Sequence, residues 1–270
     1  MGHSGKAVPI TRLQHEILAV IGPVRTPESY LAGGTVLHFS PTSTRYSRDL
    51  DLFHDALEGV AIAFAQDAKL LTAEGFGLET VISQPGFIRS IVSRGGDSTQ
   101  IDWARDSAWR FMPVTKSDLG GYVLHDIDAA TNKILALAGR EEARDFVDIL
   151  YVIDNILALG PLVWAAIAKD PGYSPLSLLE QIRRRGRNRP EDFARLDLVR
   201  PIDLVEAKRR WLEALAIAAD FVDSRPMGEA GCLYYRESED RFVRPAAGDL
   251  GKQGIVTHFG RAGGVLPRLS

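Results

Sequence analysis

Apolar side chains recur at helical spacing over residues 11–21, with Leu13, Ile17 and Val20 on one stripe, and predict a first helix that stops in the Pro23 to Pro27 stretch. Leu31 to Phe39, with Gly33-Gly34 near its start, reads as a short apolar helix. After the polar segment Ser40 to Ser47, acids and apolar residues alternate from Asp49 to His54, the period of a half-buried strand. A helix is expected over roughly 57 to 74, ending near Gly75. Three short runs follow, LETVIS, FIRSIVS and TQIDWA, separated by Pro85-Gly86 and Gly95-Gly96-Asp97, and predict an antiparallel meander.

Beyond Gly120-Gly121 the period becomes helical, over Asp126 to Ala138, Glu141 to Leu159, Pro161 to Lys169, Pro175 to Arg185, Arg189 to Leu196 and Pro201 to Asp223. Residues 224–270 hold eight glycines, a hairpin pattern (CLYYRESEDRFV) and a weakly patterned tail from Arg244 that is expected to be flexible in part. The fold class expected is therefore α/β (α+β), a mixed sheet followed by a helical bundle, with domains at 1–120 and 121–270. No internal repeat is visible.

Composition changes this picture little. A hydrophobic content of 45% with 25% charged residues is that of an ordinary globular chain, and the net charge of −3 restricts any nucleic-acid contact to a local basic patch. The single cysteine, Cys232, excludes an internal disulfide and a thiolate zinc site, which suits a reducing cytoplasm. Neither a signal-peptide layout at Met1 to Pro9 nor an apolar run long enough to span a membrane is present, so no membrane partner is expected.

Chemistry concentrates at Gly33-Gly34-Thr35 and at Ser47-Arg48-Asp49-Leu50-Asp51-Leu52. On a strand, Asp49 and Asp51 point to one face and Leu50 and Leu52 to the other, which sets two hard oxygen ligands roughly 7 Å apart. Such a pair suits Mg²⁺, which keeps waters and takes substrate phosphates. Asp102, an isolated acid between Ile101 and Trp103, is costly to bury without a partner or a metal and is the candidate third carboxylate. The Gly33-Gly34 turn offers backbone N–H groups to phosphate, and the Ser47 hydroxyl either joins them or shapes the turn. An Asp-x-Asp alone is commonly a solvated surface pair; the upstream glycines and the strand acid set this one apart.

These residues resemble the nucleotidyltransferases of the polymerase β superfamily, whose signature is a Gly-Gly or Gly-Ser pair followed by acid, apolar residue, acid. Within it, Arg45-Tyr46-Ser47-Arg48-Asp49-Leu50-Asp51-Leu52 looks most like the AbiEii/AbiGii toxin family, the group of the MenT toxins. The likeness extends to Lys133 and to Arg144-Asp145-Phe146-Val147-Asp148, similar to that group's lysine followed by Arg-Asp-x-x-Asp, and covers roughly residues 30–155. One departure is the spacing from Gly34 to Asp49, longer than the superfamily's usual one. The resemblance implies a polymerase β-like catalytic half. It also implies Mg²⁺ held by Asp49, Asp51 and Asp102, and an NTP substrate held by Gly33, Gly34, Thr35, Ser47 and Lys133. The implied role is the toxin of a type IV toxin–antitoxin pair, with a tRNA 3′ end as acceptor and a cognate antitoxin protein as partner. Modification of Ser47 would, on the same resemblance, place negative charge where triphosphate binds.

Read physically, Asp145 and Asp148 share a helix face at i and i+3, and one of them can orient Lys133, a compact charge suited to a triphosphate or to leaving pyrophosphate. The plain alternative is a charge network between two helices. Arg183, Arg184, Arg185 and Arg187 belong to the densest positive run of the chain and are the candidate RNA contacts; the alternative is a solvated loop. His38, His54 and His125 show no ligand spacing. The tryptophans read as packing residues, although Trp103, beside Asp102, is placed to border a nucleotide base. Two competing functions are a nucleotidyltransferase acting on a small molecule or a protein hydroxyl, and a nucleotide-binding interaction protein without turnover.

Overall fold

The structure, a computed structural model, describes residues 10–40, 42–117, 121–246, 248–249 and 254–268. The chain folds as two compact units, Met1–Ala108 with Pro113–His125, and Trp109–Met112 with Asp126–Ser270.

The first unit opens with α1 (Arg12–Ile21), started by a capping box in which Thr11 and Gln14 satisfy each other's backbone N–H groups. The stretch expected as one short helix from Leu31 is instead two elements, β1 (Ser29–Ala32) and the five-residue α2 (Gly33–Leu37). Tyr30, Leu31 and Ala32 are all buried, so β1 lacks the alternation that announces a half-exposed strand. The rest of the unit is β2 (Asp49–His54), α3 (Leu57–Ala73), β3 (Gly77–Gln84), β4 (Phe87–Arg94) and β5 (Asp97–Arg105). After β6 (Trp109–Arg110), which belongs to the second unit, come β7 (Thr115–Lys116) and β8 (Tyr122–Val123). The turn glycine Gly120 lies outside the described residues.

Seven strands form one mixed sheet in the order β3-β4-β5-β2-β1-β8-β7. The meander β3-β4-β5 is antiparallel, β5 runs parallel to β2, and β2 is antiparallel to β1. Leu50, Leu52, Ile101 and Trp103 fill the core together with Leu13 and Ile17 of α1 and Val60 and Leu71 of α3. The pleat therefore turns Asp49, Asp51 and Asp102 to the other face. Trp103 departs from the expectation that it borders a base. It is fully buried on the core face, its indole N–H donates to Asp67 (2.7 Å), and its ring meets Phe64 edge-on.

The second unit contains α4 (Asp126–Gly139), α5 (Ala143–Asn155), α6 (Leu159–Ala166), α7 (Pro175–Arg185), α8 (Pro190–Phe193) and α9 (Leu204–Asp223). The helix expected from Glu141 to Leu159 ends at Asn155, and Leu159 instead begins α6, whose first turn tolerates Pro161 because an N–H there has no carbonyl partner within the helix. The predicted hairpin forms as β9 (Leu233–Arg236) and β10 (Arg241–Phe242), and β11 (Ile255–His258) adds a third strand. Of the tail expected to be flexible, β11 and β12 (Arg261–Ala262) are strands, and residues 247, 250–253 and 269–270 lie outside the described residues. Trp109–Met112 is tied to this unit by three devices. Asp128 accepts the N–H groups of Phe111 and Met112 (2.8 and 2.9 Å), β6 pairs with β12, and His258 bonds the Phe111 carbonyl (2.9 Å). No single helix among the described residues is long and apolar enough to cross a membrane.

Candidate active site

Asp49, Asp51 and Asp102 of the first unit define the carboxylate face. β2 and β5 lie side by side in register with Asp51 opposite Asp102, which puts the backbones of these two residues about 5 Å apart and their side chains on one face. Asp49 is one pleat away on β2, level with Gln100. Several polar contacts latch the start of β2: Thr35 Oγ1 donates to the Asp49 carbonyl (2.9 Å), Gln14 to the Ser47 carbonyl (3.0 Å) and Thr99 to the Arg48 carbonyl (3.0 Å).

Gly33 and Gly34 are required by close approach. Gly33 has φ +66°, and a Cβ built on it would lie 1.7 Å from Asp51 Oδ2. A Cβ on Gly34 would lie 2.7 Å from Arg45 Nη2 and 3.3 Å from Ser47 Oγ. The glycine turn is thus pressed directly against the Asp51 carboxylate and the Arg45-Ser47 segment. Ser47 is buried, with its hydroxyl 3.2 Å from both Asp49 Oδ1 and the Asp49 carbonyl. It positions the first acid of the pair rather than projecting into solvent, and a group added to it would need the segment to open.

Arg89, which no sequence pattern singled out, completes the cluster. It stands opposite Asp102 on β4 and grips that carboxylate with two prongs, Nε to Oδ1 at 2.8 Å and Nη2 to Oδ2 at 2.6 Å. Its guanidinium is held above its ordinary pKa, first by the hydrogen bonds to Asp102 and then by the charges of Asp102, Asp49 and Asp51. The three acids therefore share one electrostatic field with Arg89. Among the described residues no group of three or more His, Cys, Asp or Glu side chains converges closely enough to hold a metal, and both oxygens of Asp102 are engaged by Arg89. The donors that fit Mg²⁺, an ion that completes its shell with waters and phosphate oxygens, are the hard carboxylate oxygens of Asp49 and Asp51.

Lys133 and its acids lie in the second unit. Lys133 Nζ sits 3.1 Å from Asp145 Oδ1 and 2.8 Å from Asp148 Oδ2, and both acids are fully buried. Burial pushes Asp145 up, but hydrogen bonds from Arg140 and the charge of Lys133 outweigh it and hold its carboxyl below the usual range. α4 and α5 are joined by this network. In the arginine run, Arg184 pairs with Glu180 at 3.0 Å, Arg183 stands 3.9 Å from the same acid, and Arg185 pairs with Glu141. Arg187 makes no ion pair among the described residues. A second network missed in the sequence is Asp128 with Lys169 (2.8 Å), the clamp on Trp109–Met112.

A glycine turn against an acid-apolar-acid strand, with a third acid on the parallel neighbour in a mixed sheet, defines the nucleotidyltransferase fold. Among solved structures the chain is similar to MenT4, a nucleotidyltransferase toxin from Mycobacterium tuberculosis, with 17% identity, 77% of this chain and 82% of that one covered, and a TM-score of 0.51. It is also similar to JHP933 from Helicobacter pylori, at 16% identity over 79% of this chain and 93% of that one, with a TM-score of 0.46. No family model matches the sequence, and no curated protein matches it. The likeness to MenT4 establishes the fold.

Proposed function

We propose that the chain is a Mg²⁺-dependent nucleotidyltransferase that moves a nucleoside monophosphate from an NTP to an acceptor hydroxyl. The observation that carries this reading is the approach of Gly33 to Asp51. A turn that would collide with the carboxylate if it bore even a methyl group has been kept free of side chains beside an acid pair. Mg²⁺ bound by Asp49 and Asp51 would neutralise the triphosphate and favour ionisation of the attacking hydroxyl. Ser47 fixes the Asp49 carboxylate, and the Gly33-Gly34-Thr35 turn receives phosphate oxygens through its backbone. The acceptor oxygen forms a bond to the α-phosphorus as the bond to the bridging oxygen breaks, pyrophosphate leaves, and the hydroxyl proton passes to a carboxylate of the cluster.

The acceptor proposed is the 3′ end of a tRNA, and the role that of a toxin with a cognate antitoxin. The motif resemblance of residues 45–52 and 133–148 supports this reading, and the likeness in fold to MenT4, a nucleotidyltransferase toxin, agrees with it. Incubation with each labelled NTP, Mg²⁺ and total tRNA tests it. Label on tRNA supports the proposal, and label on protein or on a small molecule replaces the acceptor.

A further inference from the structure

The second unit contains a cavity of about 760 Å³ that the transfer chemistry does not use. Its deep wall is aromatic: Phe146 meets Phe193 and Trp211 edge-on, at 5.8 and 5.6 Å between ring centroids. Gly186, the residue that ends α7, passes so close over the indole that a Cβ there would lie 2.9 Å from Trp211 Nε1. That contact seats the arginine run on the cavity edge.

Asn188, Arg187 and Lys208 offer donors here, whereas Arg183 on the same lining stands near Glu180. Asn188 Nδ2 is buried in the wall and has no hydrogen-bond partner, an arrangement that costs free energy until an acceptor arrives. Arg187 and Lys208 line the same cavity with no ion pair among the described residues. At the mouth, Val205 is 81% and Leu212 54% exposed, apolar surface placed to cover a ring or a sugar. Residues 183–200 carry seven arginines against three acids, so positive charge continues beyond the cavity along the chain. A site with flat apolar walls, a buried donor and cations that continue outward suits a planar heterocycle attached to a polyanion.

We propose that this cavity takes an unpaired nucleotide of a single-stranded RNA segment, its base between the aromatic wall and the Val205–Leu212 mouth and its phosphates on Arg187 and Lys208. This names a binding subsite for the acceptor and rests on the reading that the acceptor is RNA. An acidic peptide would use the cations, but a carboxylate does not need a cavity of this size, and it leaves the aromatic wall uncovered.

The test is equilibrium binding to the full chain without NTP, read by tryptophan fluorescence and by competition. The probes are a short single-stranded oligoribonucleotide, the matching duplex, a free nucleoside monophosphate and a glutamate-rich peptide. The proposal expects the single strand to bind best, Asn188→Ala to weaken it several-fold, and Arg187→Gln with Lys208→Gln to reduce the slope of log affinity against log salt by roughly 1.4, two contacts at about 0.7 each. Preference for the duplex or the peptide, no binding of any probe, or single-strand binding that ignores all three substitutions overturns it. Nucleotide transfer is measured separately on the same proteins. Transfer to RNA with no effect at the cavity removes the cavity alone, and cavity binding without transfer removes the enzymatic reading alone.

Discussion

Arg89 and Asp102 form a two-pronged ion pair at 2.8 and 2.6 Å on neighbouring strands, next to the strand that presents Asp49 and Asp51. Asp102 is buried, whereas the Arg89 side chain is about one-third exposed and can swing outward. An arginine so placed neutralises the carboxylate cluster and competes with a divalent cation for it. Arg89→Gln is therefore expected to bind Mn²⁺ several-fold more tightly than the parent chain in a paramagnetic-resonance titration. Equal or weaker binding would show that Arg89 does not oppose the metal.

Gly33 supplies a second prediction. Gly33→Ala places a methyl group inside the Asp51 carboxylate and puts alanine at φ +66°, which costs of order 1–3 kcal/mol in backbone strain. The core on the other face of β2 is untouched, so the variant should fold with a lowered midpoint. Displacing Asp51 by about 1 Å should reduce transfer about 100-fold. Retention of parental activity would mean that Asp51 need not sit where it does.

The Lys133 network separates structural from catalytic charge. Lys133→Met leaves Asp145 with Arg140 but strips Asp148 of its ammonium, and removal of one partner from a buried pair typically costs about 3–5 kcal/mol. Urea unfolding should show a loss of that order, and a second change, Asp148→Leu, should recover part of it. A single-variant loss within about 0.5 kcal/mol, the range of a surface substitution, would place Lys133 outside any buried network.

His54 gives the first unit a pH dependence. It is buried at the end of β2, neither ring nitrogen has a hydrogen-bond partner, and burial, followed by the Arg25 charge, lowers its pKa to about 4. A folded pKa below the unfolded value of 6.5 means stability present above the unfolded value and lost as pH falls toward 4. At pH near 5 the loss is about 2 kcal/mol. Asp67, between Arg25 and Trp103, acts in the opposite direction. Burial raises it to about 6, so its contribution is full below the unfolded value and is lost as pH rises through 6. The parent chain should thus show a shallow profile, and His54→Phe should gain about 2 kcal/mol over it at pH near 5 relative to neutral pH. Unchanged stability of His54→Phe between the two conditions, relative to the parent, would contradict the assignment.

The alternation Asp49-Leu50-Asp51-Leu52 was legible because a half-exposed strand prints its two faces in the sequence, and β2 spans the residues expected. The meander was legible from its turn residues. β1 was not, because a central strand buried on both faces reads like part of an apolar helix. β7 and β8 are two residues each, too short for any period to show. The partner of Asp102 was hidden because cross-strand pairing depends on register between β4 and β5, which neither strand states alone. The same holds for Asp67 and Trp103, 36 residues apart. Trp103 could have been assigned to the core from the period alone, since it follows Asp102 directly and adjacent strand residues face opposite ways.

The central claim is that Asp49 and Asp51 hold a metal that drives nucleotide transfer, and its most direct measurement is incorporation of α-phosphate-labelled NTP into tRNA by the parent chain and by Asp49→Asn and Asp51→Asn, with Mg²⁺ and with chelator. The account predicts label only with the parent chain and Mg²⁺, with both variants folded and silent. Equal labelling by either variant, or by the parent chain in chelator, would contradict it.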